Sequence, residues 1–118
     1  MLGRHIIIDL KSCYLHTLTD ASLGESEFVS ACNRAGATVL DTQFRSFGED
    51  LGYTGLVLLA ESHVSVHTWP EYSTALIDVF TCGTSADTDM LSELLVEFFG
   101  GTVMNHTTLM RGCYANSD

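Results

Sequence analysis

The chain has 118 residues, of which 46% are hydrophobic and 17% charged, and its formal net charge is −10. This length is typical of one domain that buries roughly two-thirds of its unfolded surface, and the apolar content excludes a disordered chain. Only 5 Lys and Arg residues stand against 15 Asp and Glu, so the chain lacks the basic face that nucleic acids and anionic membranes require. The acidic balance permits a cationic ligand or solubility in salty surroundings, and most of these carboxylates are expected to form a solvated surface.

The hydrophobic pattern predicts eight elements along the chain. They are a strand at 3–12, a helix at 25–35, strands at 37–47, 55–60, 63–69 and 73–81, a helix at 87–99 and a strand at 102–111. The first helix carries an apolar stripe from Phe28 to Ala35, and the second has Asp87 as its N-cap. The order predicts an α+β fold, a two-layer α/β sandwich whose antiparallel sheet carries two helices on one face.

The other face of this sheet is expected to meet a partner. Residues 55–60 are apolar on both sides of the predicted strand, which would leave one apolar side uncovered by the helices. We therefore expect a homodimer.

No targeting segment is evident. The N-terminal apolar run, Ile6–Ile8, is broken by Asp9 and Lys11 and is too short for the core of a signal peptide. The four cysteines are widely spread and form no CxxC motif, so reduced thiols are expected rather than a disulfide framework. These features predict a cytoplasmic protein.

Side chains capable of acid–base or nucleophilic chemistry are most concentrated at 61–71, in the run ESHVSVHTWPE. A zinc site formed by His63, His67 and Cys82 is disfavoured, because four strand steps of ~3.3 Å separate the two imidazoles by about 13 Å. A serine hydrolase centred on Ser62 would lack the G-x-S-x-G turn and an acid to orient His67. On composition alone, the histidines also fit ordinary structural positions on a strand.

The longer run ESHVSVHTWPEYSTALIDVFTCG resembles the signature of the prokaryotic S-adenosylmethionine decarboxylases, the small pyruvoyl enzymes of polyamine synthesis. The resemblance extends upstream to LGRH at 2–5, GATV at 36–39, Phe44 and Phe47. It covers nearly the whole chain and is weakest at 11–26 and after Gly83. The family's fold is a two-layer α/β sandwich that dimerises, in agreement with the pattern above.

The resemblance implies self-cleavage between Glu61 and Ser62, which converts Ser62 into a pyruvoyl group. The single domain would then consist of residues 1–61, the β chain, and 62–118, the α chain. The pyruvoyl cofactor forms a Schiff base with the substrate amine and accepts electrons when carbon dioxide leaves, so neither pyridoxal phosphate nor a metal is expected. The implied product is the aminopropyl donor for spermidine.

The resemblance also implies roles for individual residues. His67 matches the base for the elimination step of processing, and Cys82 matches the thiol that protonates the substrate carbon. Thr54 stands where the family more often has a serine that aids processing, and its extra methyl group stiffens the side chain. In substrate binding, Phe47 would stack on the adenine, Glu71 would accept hydrogen bonds from the ribose, and Leu59 and Glu61 would contact the nucleoside through their backbones.

Strand geometry separates two of these residues. On a regular strand that starts at Ser62, side chains 62, 64, 66 and 68 share one face, and side chains 63, 65 and 67 share the other. Ser62 and His67 therefore point to opposite faces. Either a sharp bend at 61–62 or a two-fold dimer could bring them together, and we favour a dimer that presents His67 of one protomer to Ser62 of the other.

Two other functions fit the same fold. A pyruvoyl decarboxylase of ornithine or arginine would process itself in the same way, although Phe47 and Glu71 favour a nucleoside. An unprocessed regulatory homologue without activity is disfavoured, because Ser62, His67 and Cys82 are all present.

Overall fold

The computed structural model of the chain describes residues 1–60, 62–82 and 86–114. The elements, in chain order, are β1 (Gly3–Lys11), α1 (Leu15–Thr19), α2 (Ala21–Arg34), β2 (Val39–Ser46), β3 (Tyr53–Leu59), β4 (Ser62–Trp69), a 3₁₀ turn (Pro70–Tyr72), β5 (Thr74–Cys82), α3 (Thr88–Phe99) and β6 (Thr102–Arg111).

The strands form one six-stranded sheet in the order β2-β3-β4-β5-β1-β6. Each pair of neighbours is antiparallel. Strands β2 to β5 follow one another across the sheet, whereas β1, from the start of the chain, lies between β5 and β6. The predicted antiparallel two-layer sandwich is confirmed.

The core lies between the helices and one face of the sheet. Strand side chains alternate with a period of two, so that Ile6, Ile8 and Leu10 of β1 and Val64 and Val66 of β4 all point inward and are fully or almost fully buried. The buried helix residues that meet them include Phe28 and Cys32 of α2 and Leu91, Leu95 and Phe99 of α3.

The prediction of two helices is wrong in number, because the described residues contain three α-helices. The short α1 was not predicted, and α2 begins at Ala21 rather than at residue 25. The apolar period is weak in this stretch, and α1 depends on tertiary burial of Thr17 and Leu18. Asp20 caps α2 by accepting a hydrogen bond from the backbone N–H of Leu23 at 3.0 Å.

The predicted cap of α3 is confirmed. The side chain of Asp87 accepts a hydrogen bond from the backbone N–H of Met90 at 3.0 Å, which satisfies one of the donors left open at a helix start. Within the described ranges, no helix combines the length and the apolar character needed to cross a lipid bilayer.

The second face of the sheet has no helix packed over it within the described part of the chain. It carries Leu56 and Leu58 of β3 and Leu109 of β6, all of them exposed. Leu56 and Leu58 are neighbours on β3, and Leu109 lies four strands away. Exposed leucines on a sheet face that no helix covers are typical of a surface that meets another protein.

A buried hydroxyl group joins α1 to the sheet. The backbone N–H of Tyr53 donates to Oγ1 of Thr68 at 2.8 Å, and this hydroxyl donates to the carbonyl oxygen of Leu18 at 2.8 Å. The phenol of Tyr53 donates to the carbonyl oxygen of Thr17 at 2.9 Å. Burial raises the pKa of the Tyr53 phenol, so it remains a hydrogen-bond donor. The start of β3, the end of β4 and α1 are thereby fixed together.

Replacement of Thr68 by valine is expected to lower the free energy of unfolding by about 2–6 kcal/mol. The substitution keeps the shape of the side chain but leaves the buried N–H of Tyr53 and the carbonyl of Leu18 without their partner, at about 1–3 kcal/mol each. Urea denaturation followed by circular dichroism measures the change.

The matched control is Thr108→Val, in the exposed edge strand β6, which should change the free energy of unfolding by less than about 0.5 kcal/mol. Equal stability of the two variants would contradict the role given to the Thr68 hydroxyl.

Candidate active site

An open cleft of about 700 Å³ lies where the β2–β3 hairpin meets the end of β4. Its lining residues are Phe47, Asp50, Leu51, Gly52, Thr54, His67, Thr68, Trp69, Pro70 and Glu71. Four of the residues to which the sequence assigned a role are therefore brought together here: Phe47, Thr54, His67 and Glu71.

Thr54 and His67 face each other across the β3–β4 ladder. They are paired in register, and Oγ1 of Thr54 lies 3.1 Å from Nδ1 of His67. This contact restrains the imidazole ring and leaves Nε2 without a hydrogen bond to any other described residue. The hydroxyl of the threonine thus contacts the imidazole, and its methyl group does not prevent this contact.

The two sides of the cleft are built differently. On the hairpin side, Phe47 is 58% exposed, so it is not a core aromatic residue and its ring is open to a ligand. On the other side, Trp69 lies with its ring centroid 6.0 Å from that of His67. Glu71 follows within the 3₁₀ turn that Pro70 begins, and its carboxylate forms no ion pair with a described residue.

Sequence reasoning missed two contributors to the cleft, Trp69 and Asp50. The parity of β4 places Trp69 on the same face as His67, and this signal was available. Asp50 gave no comparable signal, since it lies in a loop between strands whose path only the structure shows.

Ser62 and Cys82 form a second group at the opposite end of β4. The backbone N–H of Cys82 donates to Oγ of Ser62 at 3.4 Å, and this hydroxyl donates to the carbonyl oxygen of Ala60 at 3.3 Å. Leu59 is paired with Ser62 in register and is only 2% exposed, which leaves its backbone as the part that a ligand could contact. Glu61 lies outside the described residues.

The two groups are far apart within one chain. Five strand steps of ~3.3 Å place Ser62 and His67 about 16 Å from each other along β4. The burial pattern of β4, with Val64, Val66 and Thr68 buried and His67 exposed, confirms the predicted alternation of faces.

The two buried thiols, Cys13 and Cys32, are unsuited to acid–base chemistry near neutral pH. Burial raises the pKa of Cys13, and it raises that of Cys32 to about 11, so both stay protonated. Among residues 1–60, 62–82 and 86–114, no three His, Cys, Asp or Glu side chains are grouped so that they could hold a metal ion.

The sequence profile of the S-adenosylmethionine decarboxylase family matches residues 4–112. The chain belongs to this family. It is 37% identical over 111 residues to the S-adenosylmethionine decarboxylase proenzyme of Thermodesulfovibrio yellowstonii, and the alignment covers 94% of this chain and 82% of that protein. It is 44% identical over 100 residues to the corresponding proenzyme of Prochlorococcus marinus, covering 85% and 79% of the two chains.

A solved structure of a decarboxylase from the same family has the same fold. The crystal structure of the adenosylmethionine decarboxylase of Aquifex aeolicus superposes with a TM-score of 0.89 at 27% identity, and the match covers 99% of this chain and 96% of that one. The six-stranded sheet and its helical layer are therefore shared with that decarboxylase.

Proposed function

We propose that this chain is the precursor of a pyruvoyl-dependent S-adenosylmethionine decarboxylase, a carbon–carbon lyase of spermidine synthesis in the cytoplasm. The observation that carries the proposal is the cleft, which combines exposed Phe47 and Trp69 with His67, Thr54 and Glu71. Membership of the decarboxylase family and relatives named as proenzymes support it.

Activation would begin at Ser62. Its hydroxyl attacks the carbonyl carbon of Glu61, and the acyl group moves from nitrogen to oxygen. Elimination then breaks this ester, which frees the main-chain carboxylate of Glu61 as a new C-terminus and leaves dehydroalanine at position 62. The dehydroalanine tautomerises and takes up water to give the pyruvoyl group and ammonia. His67 is the proposed base for the elimination, and the contact between Nδ1 and the Thr54 hydroxyl would hold the ring in place.

The residues around Ser62 fit a pyruvoyl group. Ser62 begins β4, so cleavage would turn it into a chain terminus next to Cys82, whose N–H already contacts the Ser62 oxygen. The pyruvoyl ketone supplies a carbonyl that binds the substrate amine and an electron sink for decarboxylation. The thiol of Cys82 is the proposed proton donor to the substrate carbon.

A homodimer of processed protomers would complete each site. His67 of one protomer cannot reach Ser62 of the same protomer along a straight strand, whereas a two-fold axis can place the cleft of one protomer beside Ser62 of its partner. The exposed leucines on the uncovered face of the sheet, Leu56, Leu58 and Leu109, support this arrangement because burying them favours association.

Substrate recognition would use both sides of the cleft. The exposed ring of Phe47 offers a stacking surface for adenine, and the carboxylate of Glu71 can accept hydrogen bonds from the ribose hydroxyls. Leu59 and Glu61 would add backbone contacts near the reacting group. Ornithine and arginine carry neither adenine nor ribose and would leave these groups unused.

The purified chain is expected to split into residues 1–61 and 62–118, which intact mass spectrometry detects directly. Replacement of Ser62 by alanine removes the attacking hydroxyl, so this variant should remain a single species of 118 residues. Ser65→Ala, on the same strand, is the control and should be cleaved like the original chain. A single unbroken species of the original chain after long incubation would exclude the pyruvoyl mechanism.

A mixed dimer tests whether sites are shared. When the Ser62→Ala and His67→Ala chains are co-expressed with different tags and isolated by both tags, the His67→Ala chain should be cleaved, because its partner supplies the missing imidazole. Each variant alone should remain uncut. Isolated mixed dimers in which neither chain is cut would show that Ser62 and His67 act within one protomer.

Carbon dioxide release should be about 100-fold or more faster, as kcat/KM, from S-adenosylmethionine than from ornithine or arginine. Two lost recognition elements of about 1–3 kcal/mol each account for this ratio. Release from carboxyl-labelled substrates measures it. Faster release from ornithine or arginine would reassign the substrate. A cleaved chain that released carbon dioxide from none of the three compounds would contradict the proposed decarboxylase activity.

A further inference from the structure

We propose that Asp50 selects the sulfonium cation of the substrate against the neutral thioether of the same nucleoside. The inference rests on the proposed function and assigns a specificity-determining residue within the same cleft. The observation behind it is that the Asp50 carboxylate lines the cleft, on the side where Phe47 would hold the base, and has no ion pair or hydrogen bond to a described residue.

Asp50 is held at the edge of the cleft by a closed turn. The backbone N–H of Phe47 donates to the carbonyl oxygen of Gly52 at 3.0 Å, and that of Leu51 donates to Gly48 at 3.1 Å. Asp50 is the third residue of the inner turn and has a φ of 62°, a left-handed conformation that aspartate adopts less readily than glycine. The position of Asp50 is therefore set by the hairpin rather than by a contact of its own side chain.

Gly52 fixes this hairpin against β4. A Cβ atom at Gly52 would collide with the carbonyl oxygen of Thr68, so the close approach requires glycine. Thr68 is the residue between His67 and Trp69, and Asp50 is thus held in a fixed relation to the opposite wall of the cleft.

The charge of the cleft matches a cation. Asp50 and Glu71 both line it, and neither carboxylate has an ion pair or hydrogen bond with another described residue. None of the lining residues is a lysine or an arginine. Two uncompensated carboxylates beside aromatic rings give a negative potential that attracts a cation and does not favour a neutral ligand.

S-adenosylmethionine has two cationic groups, the α-ammonium and the sulfonium, and its covalent structure indicates which of them would lie near Asp50. The α-ammonium group of S-adenosylmethionine would be engaged at residue 62, and the ribose hydroxyls would be engaged by Glu71. The sulfur atom is bonded to the ribose 5′ carbon, so it lies next to the part of the ligand that the cleft holds. A sulfonium has no N–H or O–H group to donate, so a carboxylate recognises it mainly through charge.

The test compares binding of S-adenosylmethionine with that of S-adenosylhomocysteine, the neutral thioether, to full-length chains that carry Ser62→Ala and cannot turn over. The chain has a single tryptophan, and Trp69 lines the cleft, so its fluorescence reports both equilibria. Asp50→Asn should weaken binding of the sulfonium about 3- to 10-fold and leave that of the thioether unchanged within about 1.5-fold. Added salt should reduce the difference between the two chains.

Asparagine adopts the left-handed conformation readily, so the Asp50→Asn chain is expected to fold at least as stably as its parent. Glu49→Gln removes one charge from the same turn without touching the cleft and should alter neither affinity. If Asp50→Asn weakened the binding of both ligands equally, or of neither, the inference would be overturned. Failure of both nucleosides to bind the parent chain would overturn it as well. Carbon dioxide release by the chain with Ser62 intact tests the proposed function separately.

Discussion

The hydroxyl group of Thr68 fixes the frame in which the rest of the cleft is built. It accepts from the start of β3 and donates to the end of α1, so the helical layer and two central strands meet at one buried atom. Directly beside it, the β3–β4 register pairs Thr54 with His67. A polar group this deep is retained only when its partners are satisfied, and in this case satisfying them also sets the position of the imidazole.

The candidate site residues of β4, Ser62 and His67, lie at opposite ends of the strand and on opposite faces. The hydrophobic residues Val64 and Val66 must face the helices, which sends His67 to the opposite, uncovered face. Ser62 is the first residue of β4 and lies at the end away from His67, beside Cys82. A single protomer therefore keeps the candidate binding cleft apart from the proposed cleavage point, and this separation is the reason for proposing that a second protomer completes the site.

Local pattern was sufficient for most of the fold. Strands β1, β3, β4 and β5 have a period of two, and Asp87 stands where a cap is needed, so these elements were predicted to within a few residues. Helix α1 was missed because Thr17 and Leu18 become helical through burial against Thr68 and Tyr53 rather than through their own periodicity.

The candidate site was predictable only in part. Phe47, Thr54, His67 and Glu71 were named from family resemblance, and no spacing rule would have grouped them, since their proximity depends on the register of three strands and a hairpin. Asp50 was not predicted as a cleft residue for the same reason. The parity of β4, in contrast, followed from the sequence alone and located Ser62 and His67 on opposite faces.

The position of β1 between β5 and β6 has a consequence for the processed molecule. Strands β1 to β3 precede residue 61 and β4 to β6 follow it, so under the proposed cleavage the two pieces interleave. The contacts β3–β4, β5–β1 and β1–β6 would all become interchain ladders, and neither piece could leave without breaking its share of each. Complete unfolding of a processed protomer would release two separate pieces, and refolding would require their association, so the stability of the mature protein would depend on its concentration.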